Sequence, residues 1–442
     1  MKIKGNWKEL LPDNRTALSQ IWISLKTRNF RLYFYGMCVS LIGTWMQQIA
    51  MSWLVYKLTG SVFLLATITF MAQIPILLAT PFMSVLTDRF NRRNILLFTQ
   101  SLSALQALIL AALTLSGQTE VWHLMVLSLL IGLINALDNP TRQAFYPSLV
   151  APDHLGNAIA LNSAVINGSR LIGPAIGGVL INLLGEGICF LANGISYLGV
   201  IIALLFMHLA PQGKKKLKSA ISTDLKEGFH YVTSNIPIRT LLLMMTAISF
   251  FGLPLVTFIP AYVKDILSGD SQMLGLLLSC IGIGSFSAAI FLAARKSVVG
   301  LGKVVTLAAI ILGIALTLLS FISTPWLATL VCIPAGFSII LTVASINTLL
   351  QSLSDEDKRG RVMGYLAMTF TGISPIGSMA LGYIEKYTGL ENIILISGIF
   401  CILSSMIFEH YRPLVRKHAR PVYIKKGIIQ EIAVGINRSE KF

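Results

Sequence analysis

Residues 148–185 read SLVAPDHLGNAIALNSAVINGSRLIGPAIGGVLINLLG, and residues 352–389 read SLSDEDKRGRVMGYLAMTFTGISPIGSMALGYIEKYTG. Laid on each other they match at Ser148/Ser352, Leu149/Leu353, Asp153/Asp357, Gly156/Gly360, Gly173/Gly377, Gly178/Gly382 and Gly185/Gly389. Most of these matches are glycines, which mark backbone conformation and close approach and not oiliness. Chance pairing of common apolar residues does not produce them. The two segments therefore read as copies, which makes the chain two parallel halves. Halves related by an axis along the membrane normal enclose a substrate site near the bilayer midplane.

The membrane follows from composition. Of 442 residues, 55% are apolar and 12% charged, too little polarity to cover a water-soluble surface. A helix needs roughly 20 apolar residues to cross about 30 Å of hydrocarbon while satisfying its own backbone. The expected spans are 30–56, 61–87, 94–116, 121–141, 158–184 and 188–210, then 238–262, 272–294, 303–323, 326–350, 361–385 and 390–410. The fold class is all-α and integral to the membrane, with twelve transmembrane helices in two six-helix pseudo-symmetric halves. Residues 1–29 form an N-terminal segment, 30–210 the first bundle, 211–237 a central loop, 238–411 the second bundle and 412–442 a basic tail. In the central loop, TDLKEGFHYVTS places Leu225, Phe229 and Val232 on one face of a short surface helix. The apolar run from Phe30 is too long for a signal sequence and lacks a small-residue cleavage site.

Charge orients the bundle. Of the Lys and Arg residues, only Lys57, Lys264, Lys386 and Arg170 fall outside the segments on the N-terminal side, so both termini are expected in the cytoplasm. The net charge of +16 then reflects topology and not nucleic-acid binding, which calls for a basic soluble domain. Cys38, Cys189, Cys280, Cys332 and Cys401 lie in or at the ends of spans without CxxC spacing, and the His are scattered, so neither a metal site nor a cofactor is expected. The chain has no nucleotide-binding glycine loop, HExxH or nucleophile elbow, which argues against an enzyme and against direct use of ATP.

The loop after the second span reads SVLTDRFNRRNIL. It resembles the signature loop of the major facilitator superfamily, G-x-L-x-D-R-x-G-R-R, with Asp88, Arg89, Arg92 and Arg93 in register and Ser84 and Asn91 in place of glycines. The resemblance implies a cytoplasmic gate, although three arginines also serve topology alone. Asp138 and Arg142, in NALDNPTRQAF, are expected to join it: Asp138 with Arg92, and Arg142 with Asp88 or a lipid phosphate. Pro140 is expected to end or kink the fourth span, with Asn139 as cap. NGSRLIGPAIGGVL is similar to the superfamily's antiporter motif, with Gly173, Pro174, Gly177 and Gly178 in place. Close helix packing and prevention of leak are both open as its role. Together with GTWMQQIAMSWLVYKLTGS, EGFHYV and KRGRVMG, these fragments resemble the branch of the superfamily that includes the enterobactin exporter and drug and macrolide effluxers, from about Phe30 to Tyr411.

Arg170 lies ~18 Å into its span at ~1.5 Å per residue, a costly depth that turns it inward. It shares a helical face with Asn162, Ser163 and Asn167. It either receives an anionic substrate group or braces its own helix. The first span carries a polar stripe of Ser40, Thr44, Gln47, Gln48, Met51 and Ser52 beside Trp45; the tenth carries Ser338, Thr342, Ser345, Asn347 and Thr348; the fourth adds Asn135. In the superfamily, spans 1, 4, 7 and 10 line the cavity, which makes these its candidate wall, with helix packing as the alternative. Met51, Phe250 and Phe251 suit a bulky apolar or aromatic substrate, or simple packing. No carboxylate sits at midplane. Asp88 and Asp138 lie toward the inner surface and Asp265 and Glu385 toward the outer, and protons are one candidate coupling ion.

The expectation is a monomeric secondary exporter in a bacterial inner membrane, moving a small amphiphilic molecule, siderophore or drug-like, by alternating access. An uptake carrier, a lysolipid flippase and a transport-inactive sensor or scaffold are the competing readings.

Overall fold

The computed structural model describes residues 23–207, 229–295, 297–356 and 358–426, apart from the side chains of Asp88 and Lys425. Leu225 lies outside these residues, as do most of the central loop and the ends of the chain. The described residues form helices joined by short turns: α1 (Arg28–Thr59), α2 (Val62–Arg89), α3 (Arg92–Leu115), α4 (Val121–Phe145), α5 (Leu155–Leu184) and α6 (Glu186–Leu205). These are followed by α7 (Ile236–Ile266), α8 (Ser271–Ala293), α9 (Leu301–Leu319), α10 (Pro325–Leu353), α11 (359–388) and α12 (Leu390–Lys425). Among the described residues, eleven helices are long and apolar enough to cross a membrane. The twelfth expected span is α11, in which Gly, Ser and Thr dilute the apolar residues and a π-helical turn at Thr369–Ile373 interrupts the α-helix.

The repeat seen in the sequence recurs in the backbone. Shifted by the 204 residues that separate Ser148 from Ser352, the start of α4 at Val121 falls on the start of α10 at Pro325, Leu155 falls on Arg359 and Glu186 on Leu390. Gly185 and Gly389 both have φ 84° and sit between the fifth and sixth helix of their half. A side chain with a Cβ resists that conformation, which explains why glycine is kept at both ends of the duplication.

The chain divides into two compact units. One contains residues 23–207 with 257–282; the other contains 229–256 with 283–426. The end of α7 and the first half of α8 pack in the first unit. In that unit α1 packs on α5 and α6, α2 on α4, and α3 on α4 and α6. In the second, α9 packs on α10 and α12. Phe229 and Val232, expected on one helical face, differ in surroundings: Phe229 is exposed and Val232 is buried.

Candidate functional site

In the first unit the polar stripe of α1 opens onto a cavity of about 660 Å³. Thr44, Trp45, Gln47 and Gln48 of α1 line it with Asn135, Asn139 and Arg142 of α4 and Asn162 and Ile166 of α5. The Tyr146 hydroxyl donates to Asn162 Oδ1, tying the end of α4 to α5. Of the residues expected to form a substrate cavity, Trp45, Gln47, Gln48 and Asn135 are thus brought together.

Gln47 is held within the bundle. Asn193 Nδ2 donates to its Oε1 at 2.7 Å, its own Nε2 donates to Gln106 Oε1 at 3.1 Å, and Gln106 Nε2 donates to the Leu127 carbonyl at 3.3 Å. This chain of amides links α6, α1, α3 and α4 with its polar atoms paired, which is how buried amides are retained in apolar surroundings. Its sequence signal is Gln106, in the polar stripe Gln100, Ser103, Gln106 of the third span.

Arg170 stands one turn beyond Ile166 on α5. Its guanidinium lies 5.1 Å from the centroid of the Trp45 ring, a cation–π distance. Arg170 is not among the residues that line the cavity, and its Nε is buried without a hydrogen-bond partner among the described residues. Asn167 Nδ2 donates to the Ser163 carbonyl at 2.8 Å on the same helix. Met51 is half-buried on α1.

α5 carries the glycines that let it approach its neighbours. A Cβ on Gly173 would fall 2.5 Å from Trp45 Cβ, and one on Gly177 would fall 2.6 Å from Ile49 Cγ2. One on Gly178 would meet the Gly275 Cα at 2.9 Å. Pro174 lies within the helix, and its carbonyl faces Gly275. The four motif residues thus seat α5 against α1 on one side and the start of α8 on the other, with Ser271 Oγ donating to the Gly178 carbonyl at 3.1 Å.

At the signature-loop end, α4 runs unbroken through Pro140 to Phe145, where the sequence had suggested an end or a kink. A proline in a membrane helix forfeits one backbone hydrogen bond, which neighbouring groups make up. Continuity has a consequence: Asp138 and Arg142, four apart, share a face and form an ion pair. Asp138 is 1% exposed and also accepts from Thr99 Oγ1 at 2.7 Å and Gln100 Nε2 at 2.8 Å. Arg92 Nη1 donates to the Ala144 carbonyl at 3.0 Å. Arg93 caps α6, with Nε to the Leu204 carbonyl at 2.7 Å and Nη2 to the Leu205 carbonyl at 2.8 Å. Arg89 is exposed, and the Asp88 side chain lies outside the described residues. Thr99 and Gln100 were not singled out in the sequence.

At the opposite end of the same unit a second cluster appears. The Tyr56 hydroxyl donates to Asp265, with the Lys264 ammonium 5.5 Å from the Tyr56 ring. Lys57 pairs with buried Glu186 at 3.0 Å, and Asn182 Nδ2 donates to Asp270 at 2.7 Å. These contacts join the end of α1 to the end of α7 and to the start of α6, and the end of α5 to the turn after α7.

Phe250, Phe251 and Asn347, also expected at the cavity, belong to the second unit. Phe251 stacks on Phe400 at 4.5 Å, Phe250 meets Phe251 edge-on at 4.8 Å, and Asn347 Oδ1 accepts from Gln351 at 2.6 Å. Ser338, Thr342 and Ser345 of α10 are fully buried there, with hydroxyls that have no partner among the described residues. No cluster of metal-ligating side chains occurs among the described residues.

A family model described as transmembrane secretion effector matches residues 19–422. The staphyloferrin A transporter of Staphylococcus aureus is 25% identical over 384 residues, covering 86% of this chain and 95% of that protein. Macrolide efflux protein A of Streptococcus pyogenes is 22% identical over 391 residues, 85% of this chain and 96% of that one. Among solved structures, a bacterial homologue of the human lysosomal transporter Spinster superposes with a TM-score of 0.69 at 12% identity, covering 89% and 98% of the two chains. A bacterial homologue of the iron transporter ferroportin gives 0.66 at 18% identity, covering 87% and 98%. With its helices duplicated six and six and its family model spanning nearly the whole chain, this protein belongs to the transmembrane secretion effector family and is a membrane transporter of the major facilitator superfamily.

Proposed function

We propose that the protein exports a small amphiphilic molecule carrying an anionic group, siderophore-like or drug-like, from the cytoplasm of a bacterium. The observation that carries this reading is Arg170: a guanidinium seated on Trp45, whose ring lines the cavity, with a buried Nε that has no acceptor among the described residues. A carboxylate on a ligand would complete its hydrogen bonding, and the charge-assisted bond is the stronger kind. The aromatic face beside it suits an apolar body. The siderophore and macrolide transporters among its relatives support the same class of cargo.

In this reading the signature-loop end faces the cytoplasm. Arg89, Arg92 and Arg93, with Asp88, form the gate there, and Asp138 holds Arg142 at the cavity wall. A negative cell interior adds about 2.3 kcal/mol per charge per 100 mV to expulsion of an anion.

The test is transport by the purified protein in liposomes, with pH gradient and voltage imposed separately and anionic and neutral amphiphiles compared. Arg170→Ala should lower uptake of the anionic substrate into inside-out vesicles at least ten-fold, and Arg170→Lys should recover part of it. Equal transport of the anion by wild type and Arg170→Ala would sink the proposal.

A further inference from the structure

Outside the cavity, α1 and α6 leave a second recess on the outer wall of the first unit, of about 550 Å³. Its lining repeats at helical spacing on both helices: Arg28, Leu32, Gly36 and Val39 on one, Ser196, Gly199, Ala203 and Phe206 on the other. The floor is made of the small residues. A Cβ on Gly36 would lie 2.8 Å from the Gly199 carbonyl oxygen, so the two backbones touch and no side chain fills the seam. The walls stand proud of it: Tyr35, Ile202 and Phe206 are each more than half exposed. Ser196 adds no polarity to the floor, because its hydroxyl donates to Asn193 at the carbonyl, 2.7 Å away, and at Oδ1, 3.1 Å away.

The recess has a length and a charged end. From Arg28 to Val39 is ~16 Å along α1 at ~1.5 Å per residue, which is about half of a ~30 Å hydrocarbon core. It therefore runs through one leaflet. Its end at Arg28 and Phe206 is also where Arg93 caps the last carbonyls of α6, placing a second guanidinium beside the mouth. An apolar trough one leaflet deep, closed by cations at headgroup level, matches a phospholipid with an anionic head and one acyl chain laid along the seam.

We propose that this groove between α1 and α6 is a binding site for an anionic glycerophospholipid of the leaflet on the signature-loop side, its chain over Gly36 and Gly199 and its phosphate at Arg28. The site is separate from the transport cavity, and its test does not depend on any transported substrate.

The experiment is native mass spectrometry of the full-length protein released from detergent with defined amounts of phosphatidylglycerol or phosphatidylcholine. Wild type should retain one phosphatidylglycerol in preference to phosphatidylcholine. Arg28→Gln should weaken that preference about five-fold, the effect of about one surface charge on an anionic lipid. Gly199→Leu should remove the bound lipid of either kind. The Gly199 Cβ position meets α1 no closer than 3.7 Å, so the new side chain occupies the groove without splaying the helices. Leu198→Phe, on the neighbouring lipid-facing surface outside the groove, should change nothing. Undiminished phosphatidylglycerol retention in a monodisperse Gly199→Leu protein would overturn the assignment. Displacement of the lipid by inorganic phosphate alone would do the same, assigning the cations to a free anion.

Discussion

Asp138 on α4 and Thr342 on α10 fall on each other under the repeat, and their surroundings are opposite. Asp138 is buried and receives donors from Thr99, Gln100 and Arg142. Thr342 is fully buried, and its hydroxyl has no partner among the described residues; Ser338 and Ser345, one turn to either side, are in the same condition. The position of Arg142 is taken by Ile346, and that of Gln100 by Val304. The same contrast holds at the amide chain. Asn193 of the first unit falls on Ser397 of the second, and the neighbouring contact there is aromatic, Phe251 stacked on Phe400. At these positions the duplication has preserved the helices, while the directional polar contacts are made in the first unit. Aromatic and aliphatic packing tolerates substitution one residue at a time; a buried ion pair or amide chain does not, because every member strands another.

The largest effect should come from breaking the charged pair. Asp138→Leu leaves the Arg142 guanidinium without its carboxylate, and about 3–5 kcal/mol of unfolding free energy should be lost in a denaturant titration of the purified protein. Asp138→Leu with Arg142→Met should regain most of that stability while staying inactive in transport. A single variant as stable as wild type would mean that the pair is solvated, and the contrast with α10 would disappear.

Next in size is the amide chain. Asn193→Leu removes the donor to Gln47 and leaves a buried carbonyl oxygen unmet, a cost of about 1–3 kcal/mol. At the aromatic stack of the second unit, Phe251→Leu should lose only the part of the stack beyond area burial, about 0.5–1.5 kcal/mol, together with a small change in packing. The same titration measures both, and a larger loss at Phe251 than at Asn193 would reverse the ranking.

These pairs show what could be read in the sequence. The twelve spans and the repeat were legible because bilayer thickness fixes helix length and because Gly185 and Gly389 need a φ that other residues resist. The signature loop and the glycine motif were legible because they occupy short, contiguous runs. What escaped were partners brought together by helix packing. Arg92 was expected on Asp138, yet the carboxylate is held by Arg142 one turn along, since α4 does not break at Pro140. Thr99, Gln100, Gln106 and Asn193 lie on other helices, and sequence spacing within one helix says nothing about which face meets which neighbour. The contact of Tyr56 with Asp265 joins residues two hundred positions apart, and no local pattern announces it.

The smallest effect is the most discriminating. Thr342→Val keeps the β-branched shape and removes one hydroxyl. If that hydroxyl is unpaired in the folded protein, its desolvation is a cost that the valine does not carry, and the substitution should lie within about 0.5 kcal/mol of wild type or on the stabilising side. Thr141→Val, in the corresponding stretch of α4, removes a hydroxyl that lies 2.8 Å from the Thr87 hydroxyl and donates to the Leu137 carbonyl at 2.7 Å. It should cost about 1 kcal/mol. Measured side by side, the two valines separate a polar stripe that binds helices together from one that packs as though it were apolar. A loss at Thr342 equal to that at Thr141 would show that α10 uses its hydroxyls after all, and the difference between the two units would then be confined to charge.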